Sequence, residues 1–274
     1  IRKAVGADFE YEILSTVPWT RRELVADRYR RGNIFVAGDA AHANSPTGGF
    51  GMNTGVGDSV DLSWKIAAVL EGWGGPGLLD SYSAERQPVA ARNVREASVN
   101  LDRMLSPNPD PHLLDDTADG AARRQKTGQD FAEAISHEWR TLGIHLGYIY
   151  EGSPICVADG SPMPSREPSV YEQTSRPGSR APHVWLKDGT STLDYFGRGF
   201  VLMRLGADAP DVSAFQQAAT AAGVPLTVVN NVEPDVVTAY ERKLVLVRPD
   251  GHSAWRGDGV PDDPQAIIDC VRGA

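Results

Sequence analysis

Cysteine is scarce in this sequence. Only two occur among its 274 residues, Cys156 and Cys270, and they lie far apart with no Cys-x-x-Cys pair. This spacing indicates neither a disulfide framework nor a zinc site, and the six histidines include no His-Glu-x-x-His motif. We expect both cysteines to be buried small apolar residues.

Long apolar runs and clusters of positive charge are also missing. No run reaches the roughly 18 apolar residues that cross a bilayer, and no charged-then-apolar signal segment opens the chain. Lysine and arginine total 27 against 36 aspartate and glutamate residues, a net charge of -9. Surfaces that bind nucleic acid or anionic membranes need clustered basic residues. These features predict a cytoplasmic protein that binds neither nucleic acid nor membrane.

The most informative stretch is VAGDAAHANSPTGGFGMNTG, residues 36 to 55. An apolar run over residues 34 to 37, expected to be a strand, ends at Gly38, which permits a sharp turn. Three further glycines follow, at positions 48, 49 and 51. Because they lack a Cβ atom, they allow positive φ angles and bring backbone N–H groups close to a ligand. This loop is suited to backbone contact with a bound molecule.

A helix is predicted after the loop. Apolar residues recur there at helical spacing: Val56, Val60, Trp64, Ala67 and Leu70. We expect the helix to begin near Asn53 or Thr54, either of which could cap it. Its free N–H groups and the positive end of its dipole would face the ligand, so an electron-rich or anionic group is expected there.

Asp39 narrows the choice of ligand. A carboxylate repels phosphate, but it accepts hydrogen bonds well from ribose-like or ribityl hydroxyls. An acceptor for hydroxyls beside donors for an anion favours a flavin over a simple nucleotide. The alternative is that Asp39 caps a turn and the glycines only make a tight connection.

The remaining pattern predicts a mixed α/β (α+β) fold. Alternating residues over 9–17 predict a half-buried strand, and helices are expected over 78–104, with a kink or break at Pro88, and over 118–140. The segment SPNPDPH, residues 106 to 112, is a predicted break. In the last third we predict strands over 200–205, 226–229, 243–247 and 252–256, and helices over 210–222 and 262–271.

Two parts of the chain resemble known proteins. Residues 38 to 90 resemble the second flavin motif of the para-hydroxybenzoate hydroxylase family of flavoprotein aromatic monooxygenases. A Gly-Asp pair, a Ser-Pro-Thr-Gly-Gly loop, a Gly-Met-Asn-Thr-Gly helix start and Glu85-Arg86 occur there in order. RPGSRAPHVWL (176–186), STLDYFG (191–197) and LVRPDGHSAWRG (246–257) resemble the thioredoxin-like C-terminal domain of the subgroup with phenol and aromatic polyketide hydroxylases. No redox Cys-x-x-Cys is present, so this domain is expected to be structural or an assembly surface.

The resemblance implies FAD as cofactor and NAD(P)H as co-substrate. It implies hydroxylation of a phenolic or polyketide aromatic substrate by O2, through a flavin C4a-hydroperoxide. Asp39 would accept hydrogen bonds from the ribityl chain, and the backbone from Gly51 to Asn53 would donate to the flavin N1 and O2 edge. The expected cofactor-binding residues are Gly38, Asp39, Gly49, Gly51, Met52 and Asn53. The expected substrate-binding residues are Pro46, Thr47 and Trp19, although an aromatic such as Trp19 near a strand end is more often core.

Other polar residues have simpler interpretations. His42 is expected to pack or to hydrogen-bond, Asp58 and Asp61 to form a polar helix face, and Glu85-Arg86 to be a structural ion pair. We assign no catalytic side chain and no metal ligand. Two alternatives stay open: a flavoprotein of the same fold that performs Baeyer-Villiger oxidation or epoxidation, and a flavin-free remnant or assembly module.

The resemblance also predicts how the chain is organised. Family members open with a Rossmann-type strand that leads into a Gly-x-Gly-x-x-Gly turn and binds the ADP half of FAD. This sequence has no such turn directly after an apolar strand, since its one match, GWGGPG at residues 72 to 77, follows a predicted helix. We therefore expect the C-terminal half of a hydroxylase, with an N-terminal half of the same protein as partner and a homodimer as a further option. The predicted parts are the end of an FAD- and substrate-binding domain (1–105), a loop-rich connector (106–182) and a thioredoxin-like domain (183–274).

Overall fold

The computed structural model describes residues 1–104 and 110–274. A short helix, α1 (Arg2–Val5), precedes four two-residue strands: β1 (Leu24–Val25), β2 (Arg30–Arg31), β3 (Ile34–Phe35) and β4 (His42–Ala43). β1 pairs antiparallel with β4, and β2 with β3. The strand expected over 34–37 is therefore present but shorter.

The strand predicted over residues 9–17 is wrong. Residues 8–23 form no strand, and their side chains are exposed. Alternation along a chain defines two faces, but a strand forms only where a neighbouring strand accepts its hydrogen bonds. None of the described residues pairs with this segment as a strand.

Four helices follow the short strands: α2 (Phe50–Leu70), α3 (Ser81–Met104), α4 (Ala118–Trp139) and α5 (Leu142–His145). Pro88 lies inside α3 without ending it. Pro88 and Ala84, whose carbonyl loses its hydrogen bond, are both exposed, so that carbonyl is open to solvent. The break predicted over 106–112 and the boundary between 105 and 106 fall mainly outside the described residues. Among the helices of the described residues, none combines the length and the hydropathy that a membrane span requires.

The last third forms a four-stranded sheet. Its elements are β5 (Phe200–Leu205), α6 (Ser213–Ala221), β6 (Leu226–Asn231), α7 (Pro234–Tyr240), β7 (Leu244–Val247), β8 (Ser253–Gly257) and α8 (Pro264–Val271). The strand order is β6-β5-β7-β8, with β5 parallel to β6 and antiparallel to β7. All predicted elements are present. Only α7 was missed, because it is short and contains three β-branched residues.

The sheet is buried on both faces. One cluster joins Leu202 and Leu246 to α6 and α8, and it also includes Trp64 and Trp73 from the helical region. The aromatic rings of Trp64 and Phe200 meet edge to face, 6.0 Å between centroids. The opposite face packs under α7. The mixed α/β fold class is confirmed, and its core ties the sheet to the C-terminal half of α2.

The two cysteines do not match the expectation of full burial. Cys156 and Cys270 are free thiols of intermediate exposure. The Sγ of Cys156 lies 3.6 Å from a guanidinium nitrogen of Arg248. Burial of the thiol raises the pKa of Cys156 to about 11, so it stays protonated at neutral pH.

Candidate functional site

The turn at Gly38 packs directly against α2. Residues Gly38–Ala40 form one turn of 3-10 helix, and Gly38 has a φ of 57°. A Cβ atom on Gly55 would lie 3.1 Å from the Cα of Gly38. Glycine at both positions therefore lets the turn and the helix touch backbone to backbone.

The loop before α2 is held by helices far along the chain. Gly48 and Gly49 have φ angles of 78° and 64°. The Thr47 hydroxyl donates to the carbonyl of Ala97 on α3 at 2.5 Å, and the Gly48 N–H donates to the Glu138 carboxylate on α4 at 2.8 Å. The backbone of this loop is thus fixed from two sides.

The start of α2 differs from the prediction. The helix begins at Phe50 after Gly49 in the left-handed conformation, and no side chain caps it. Asn53 and Thr54 lie inside the first turns, where their side chains donate to the carbonyls of Gly49 and Phe50 at 3.0 and 2.7 Å. The expected caps are therefore wrong, because the two glycines supply the turn instead. The first N–H groups of α2 have no intrahelical acceptor.

An open groove of about 620 Å³ runs along α2 beside the Gly38 turn. Its lining residues include Ala37, Gly38, Met52, Gly55, Val56 and Ser59. The apolar side of α2 faces outward here, since Met52 is 77% and Val56 is 56% exposed. The buried side carries four polar residues, Thr54, Asp58, Asp61 and Lys65, together with the apolar residues Phe50, Trp64 and Ala68. A typical surface helix keeps its charged residues on the solvent side.

The structure groups most of the predicted site residues. Gly38 and Met52 line the groove, and Gly49, Gly51 and Asn53 belong to the adjoining helix start. Asp39 and Pro46 are exposed, and Thr47 is buried. The Asp39 carboxylate has no hydrogen-bond or ion-pair partner among the described residues.

Trp19 is placed elsewhere. It lies in the extended segment 8–23, is 70% exposed and does not line the groove along α2.

The structure places Asp58 differently from the sequence-based expectation. It is fully buried rather than part of a polar face. Its carboxylate accepts hydrogen bonds from Arg86 Nε at 2.8 Å, His42 Nε2 at 3.0 Å and the Gly38 N–H at 3.1 Å. Burial opposes its charge, but these donors and the Arg86 charge lower the pKa of Asp58 below its usual value. The hydrogen-bonding role expected for His42 is confirmed.

Arg86 is positioned by the same network. It donates to the carbonyl of Thr54 at 3.1 Å and to the Tyr150 hydroxyl at 3.2 Å. A Cβ atom on Gly57 would lie 2.7 Å from its guanidinium, so Gly57 leaves room for the arginine. A buried arginine beside a helical glycine gives no local sequence pattern that would have identified this contact.

A second buried network joins α2 and α3 to the sheet. Lys65 binds Asp61 at 2.7 Å and Glu85 at 2.5 Å. Arg248, which follows β7, binds Glu85 at 2.5 Å, Asp61 at 3.0 Å and Asp250 at 2.5 Å. The predicted Glu85-Arg86 pair is therefore wrong, because the two side chains enter separate networks. Asp61 is not a solvated face residue either.

The second network contains three carboxylates and two cations. Burial alone would raise the pKa of Glu85, but Arg248 and Lys65 lower it to about 2. Asp61 differs: burial, with the like charges of Glu85 and Asp250, raises its pKa well above the usual value. Asp61 is therefore the carboxylate of this network that takes up a proton most readily, while Glu85 stays ionised.

We expect acid to destabilise the chain through Glu85. Its folded pKa of about 2 lies below the ordinary value of 4.5, so its contribution is present above pH 4.5 and lost as pH falls toward 2. The pKa difference corresponds to about 3 kcal/mol. Urea unfolding between pH 6 and pH 2 would measure this effect. The free energy of unfolding should fall less over this pH range for Glu85→Gln than for the unaltered protein. Glu10→Gln, at an exposed position, is the control, and identical pH profiles for the two variants would contradict the assignment.

Comparisons with known proteins identify two families that match this chain. Residues 1–97 match the family described as an FAD binding domain, and residues 174–272 match the family described as aromatic-ring hydroxylase, C-terminal. The first match contains the Gly38 turn and most of α3. The second contains the sheet.

Three known proteins illustrate the similarity. The chain is 36% identical over 289 residues to 4-methyl-5-nitrocatechol 5-monooxygenase of a Burkholderia species, covering 98% of the chain and 48% of that relative. The rebeccamycin biosynthetic enzyme RebC, solved with reduced flavin, gives a TM-score of 0.90 at 44% identity, over 99% of the chain and 51% of RebC. The flavin-dependent monooxygenase PieE, solved with FAD and substrate, gives 0.81 at 34% identity, over 93% of the chain and 50% of PieE. The chain thus spans about half the length of these relatives.

Proposed function

Because the chain belongs to the family of FAD-dependent aromatic-ring monooxygenases, we propose that it forms the flavin-ring side of a hydroxylase. The proposed enzyme uses FAD, NAD(P)H and O2 to hydroxylate a phenolic or polyketide aromatic substrate. The observation that carries this proposal is the uncapped start of α2, which opens beside a groove and beside Asp39, whose carboxylate has no partner in the part of the chain that the structure describes.

The residues present fit FAD chemically. Because α2 begins at Phe50, its free N–H groups are those of residues 50–52, one position earlier than the expected Gly51 to Asn53. These groups can donate to an electron-rich ring edge, and Asp39 can accept from ribityl hydroxyls. The backbone contact between Gly38 and Gly55 keeps side chains out of the base of the groove. A flavin needs both an anion-stabilising edge and acceptors for a polyol chain, and this surface offers both.

When bound, FAD supplies the oxygen activation that protein side chains lack. The chain would supply position and charge. The helix dipole stabilises negative charge near residues 50–52 by typically 0.3–1 kcal/mol, and by up to about 2 kcal/mol when partly buried. The Thr47 hydroxyl donates a hydrogen bond to the carbonyl of Ala97. Thr47 therefore fixes the loop that faces the substrate, and it does not act as an acid or a base. Pro46, exposed beside it, would contact the aromatic substrate.

The outward apolar side of α2 supports an N-terminal half as partner. Met52, Val56 and Val60 are exposed along one side of the helix, and burying such side chains stabilises a protein by roughly 25 cal/mol per Å². We propose that a preceding half, of the kind the length of the relatives indicates, covers this side and binds the ADP part of FAD. The division at 105 and 182, the thioredoxin-like character of the last part and a homodimer also remain proposals.

We expect Asp39→Ala to weaken FAD binding by roughly 10- to 150-fold, since a hydrogen bond to a charged group contributes about 1.5–3 kcal/mol. The purified gene product should be yellow, and flavin fluorescence during FAD titration should report the affinity. The FAD affinity of Asp39→Asn should lie between those of Asp39→Ala and the unaltered protein, because the amide oxygen of asparagine still accepts hydrogen bonds. Asp27→Ala, at another exposed position, should bind as the unaltered protein does. A colourless gene product that does not respond to FAD would exclude the proposed function.

A further inference from the structure

Two carboxylates flank the backbone of the Gly38 turn, and they differ completely in their partners. Asp58 is fully buried and accepts from three donors. Asp39, one residue after Gly38, is exposed and has no partner among the described residues. The carboxylate oxygens of Asp58 therefore accept hydrogen bonds only from within the protein, whereas those of Asp39 can accept hydrogen bonds from a ligand.

The Gly38 turn depends on an acceptor from outside itself. No side chain caps this 3-10 turn at its own start, and the Gly38 N–H instead donates to Asp58, which lies 20 positions later on α2. Gly38 has a positive φ of 57°, a conformation that glycine reaches without strain but that is not favoured on its own. The hydrogen bond to Asp58 selects it.

The charge of Asp58 is balanced where it lies. Arg86 Nε binds one carboxylate oxygen, while Gly38 and His42 share the other. Gly57 makes space for the guanidinium. A buried carboxylate so neutralised exerts little repulsion on an electron-rich group in the groove, yet it still aligns the turn.

We propose that Asp58 is a positioning residue: it holds the Gly38 N–H so that Asp39 is presented to the ribityl chain of FAD at the groove beside α2. This inference rests on the proposed function, because it assigns Asp58 a task at the same site. Asp58 itself does not touch the cofactor.

Removing Asp58 alone would leave Arg86 buried and unpaired, and that variant would lose its fold for reasons unrelated to the turn. The informative comparison uses two double variants, each of which has uncharged side chains at positions 58 and 86. Asp58→Leu with Arg86→Met removes the acceptor for Gly38. Asp58→Asn with Arg86→Met restores an acceptor oxygen of the same reach.

Both double variants should be folded by circular dichroism and carry an intact Asp39. We expect the Leu/Met pair to bind FAD about tenfold more weakly than the unaltered gene product, and the Asn/Met pair to recover most of that loss. Amide exchange at Gly38, followed by NMR, should be fast in the Leu/Met pair and slow in the other two proteins, whether or not FAD is present.

Three outcomes are distinguishable. Rescue by the Asn/Met pair in both FAD affinity and Gly38 exchange supports the proposal. Equal FAD affinity for the two double variants overturns the role of Asp58 while leaving the proposed function intact. An unaltered gene product that binds no FAD overturns the proposed function and this inference with it.

Discussion

Replacing Arg248 by methionine is expected to lower the free energy of unfolding by about 3–5 kcal/mol, the usual cost of removing one partner from a buried ion pair. Arg248 is completely buried and binds three carboxylates. Without it, Asp61, Glu85 and Asp250 would share only Lys65. Methionine fills similar space, so the lost charge, and not a cavity, dominates the effect. Urea unfolding followed by circular dichroism would measure the difference.

The chain offers a matched control for this experiment. Arg242 pairs with Asp258 at 3.4 Å on the surface, where such pairs contribute about 0–1 kcal/mol. Arg242→Met should therefore change stability little. Combining Arg248→Met with Glu85→Gln should recover part of the loss, because one buried negative charge disappears. Similar unfolding free energies for Arg248→Met and Arg242→Met would show that the network does not stabilise the fold.

The position of Arg248 connects this stability to the site. It follows β7 of the sheet, and its partners Asp61 and Glu85 lie on α2 and α3. The guanidinium also lies over the ring of Tyr150, whose hydroxyl accepts from Arg86. The sheet therefore holds the two helices that carry Asp58 and Arg86, the residues that support the Gly38 turn.

Replacing Gly48 by alanine is expected to lower the free energy of unfolding by about 2–5 kcal/mol, because two penalties add. The left-handed backbone costs a residue with a Cβ atom roughly 1–2 kcal/mol, and overpacking costs about 1–3 kcal/mol. Gly48 has a φ of 78°, and the new Cβ would lie 2.6 Å from the Phe50 ring. Thermal unfolding would report the stability loss, and FAD titration the displacement of the loop.

The neighbouring glycine separates the two penalties. Gly49 has a φ of 64°, but a Cβ there would have no atom within 4 Å. Gly49→Ala should therefore cost only the backbone term, roughly 1–2 kcal/mol. If the two alanine variants are equally stable, the contact with Phe50 is not a constraint on the loop.

Local chemistry explains what was predictable. The elements of the last third follow from short apolar runs separated by turn residues, and both long helices at 78–104 and 118–140 were found within a few residues. The Gly38 turn and the glycine loop were recognised because positive φ and close backbone approach are properties of single residues. The start of α2 was misplaced by three or four positions, since glycine at 49 replaced the expected side-chain cap.

The polar side of α2 was not predictable in the same way. Asp58 and Asp61 at helical spacing indicate a solvated face unless partners bury them. Their partners come from distant positions: Arg86 is 28 residues from Asp58, and Arg248 is 187 residues from Asp61. No local sequence pattern reports such pairs. The prediction therefore placed Asp58 and Asp61 on the solvent side of α2, whereas the structure buries them.

The mixed fold, the turn-loop-helix unit at residues 36–55 and, through its motifs, the family could all be predicted before the structure was known. Each depends on residues close together in the chain, where backbone sterics and periodicity act. The burial of Asp58, Asp61 and Glu85, and the exposure of Asp39, became visible only with the tertiary structure. This burial depends on charges brought together from separate helices and the sheet, because a buried carboxylate is stable only where cations and N–H donors surround it.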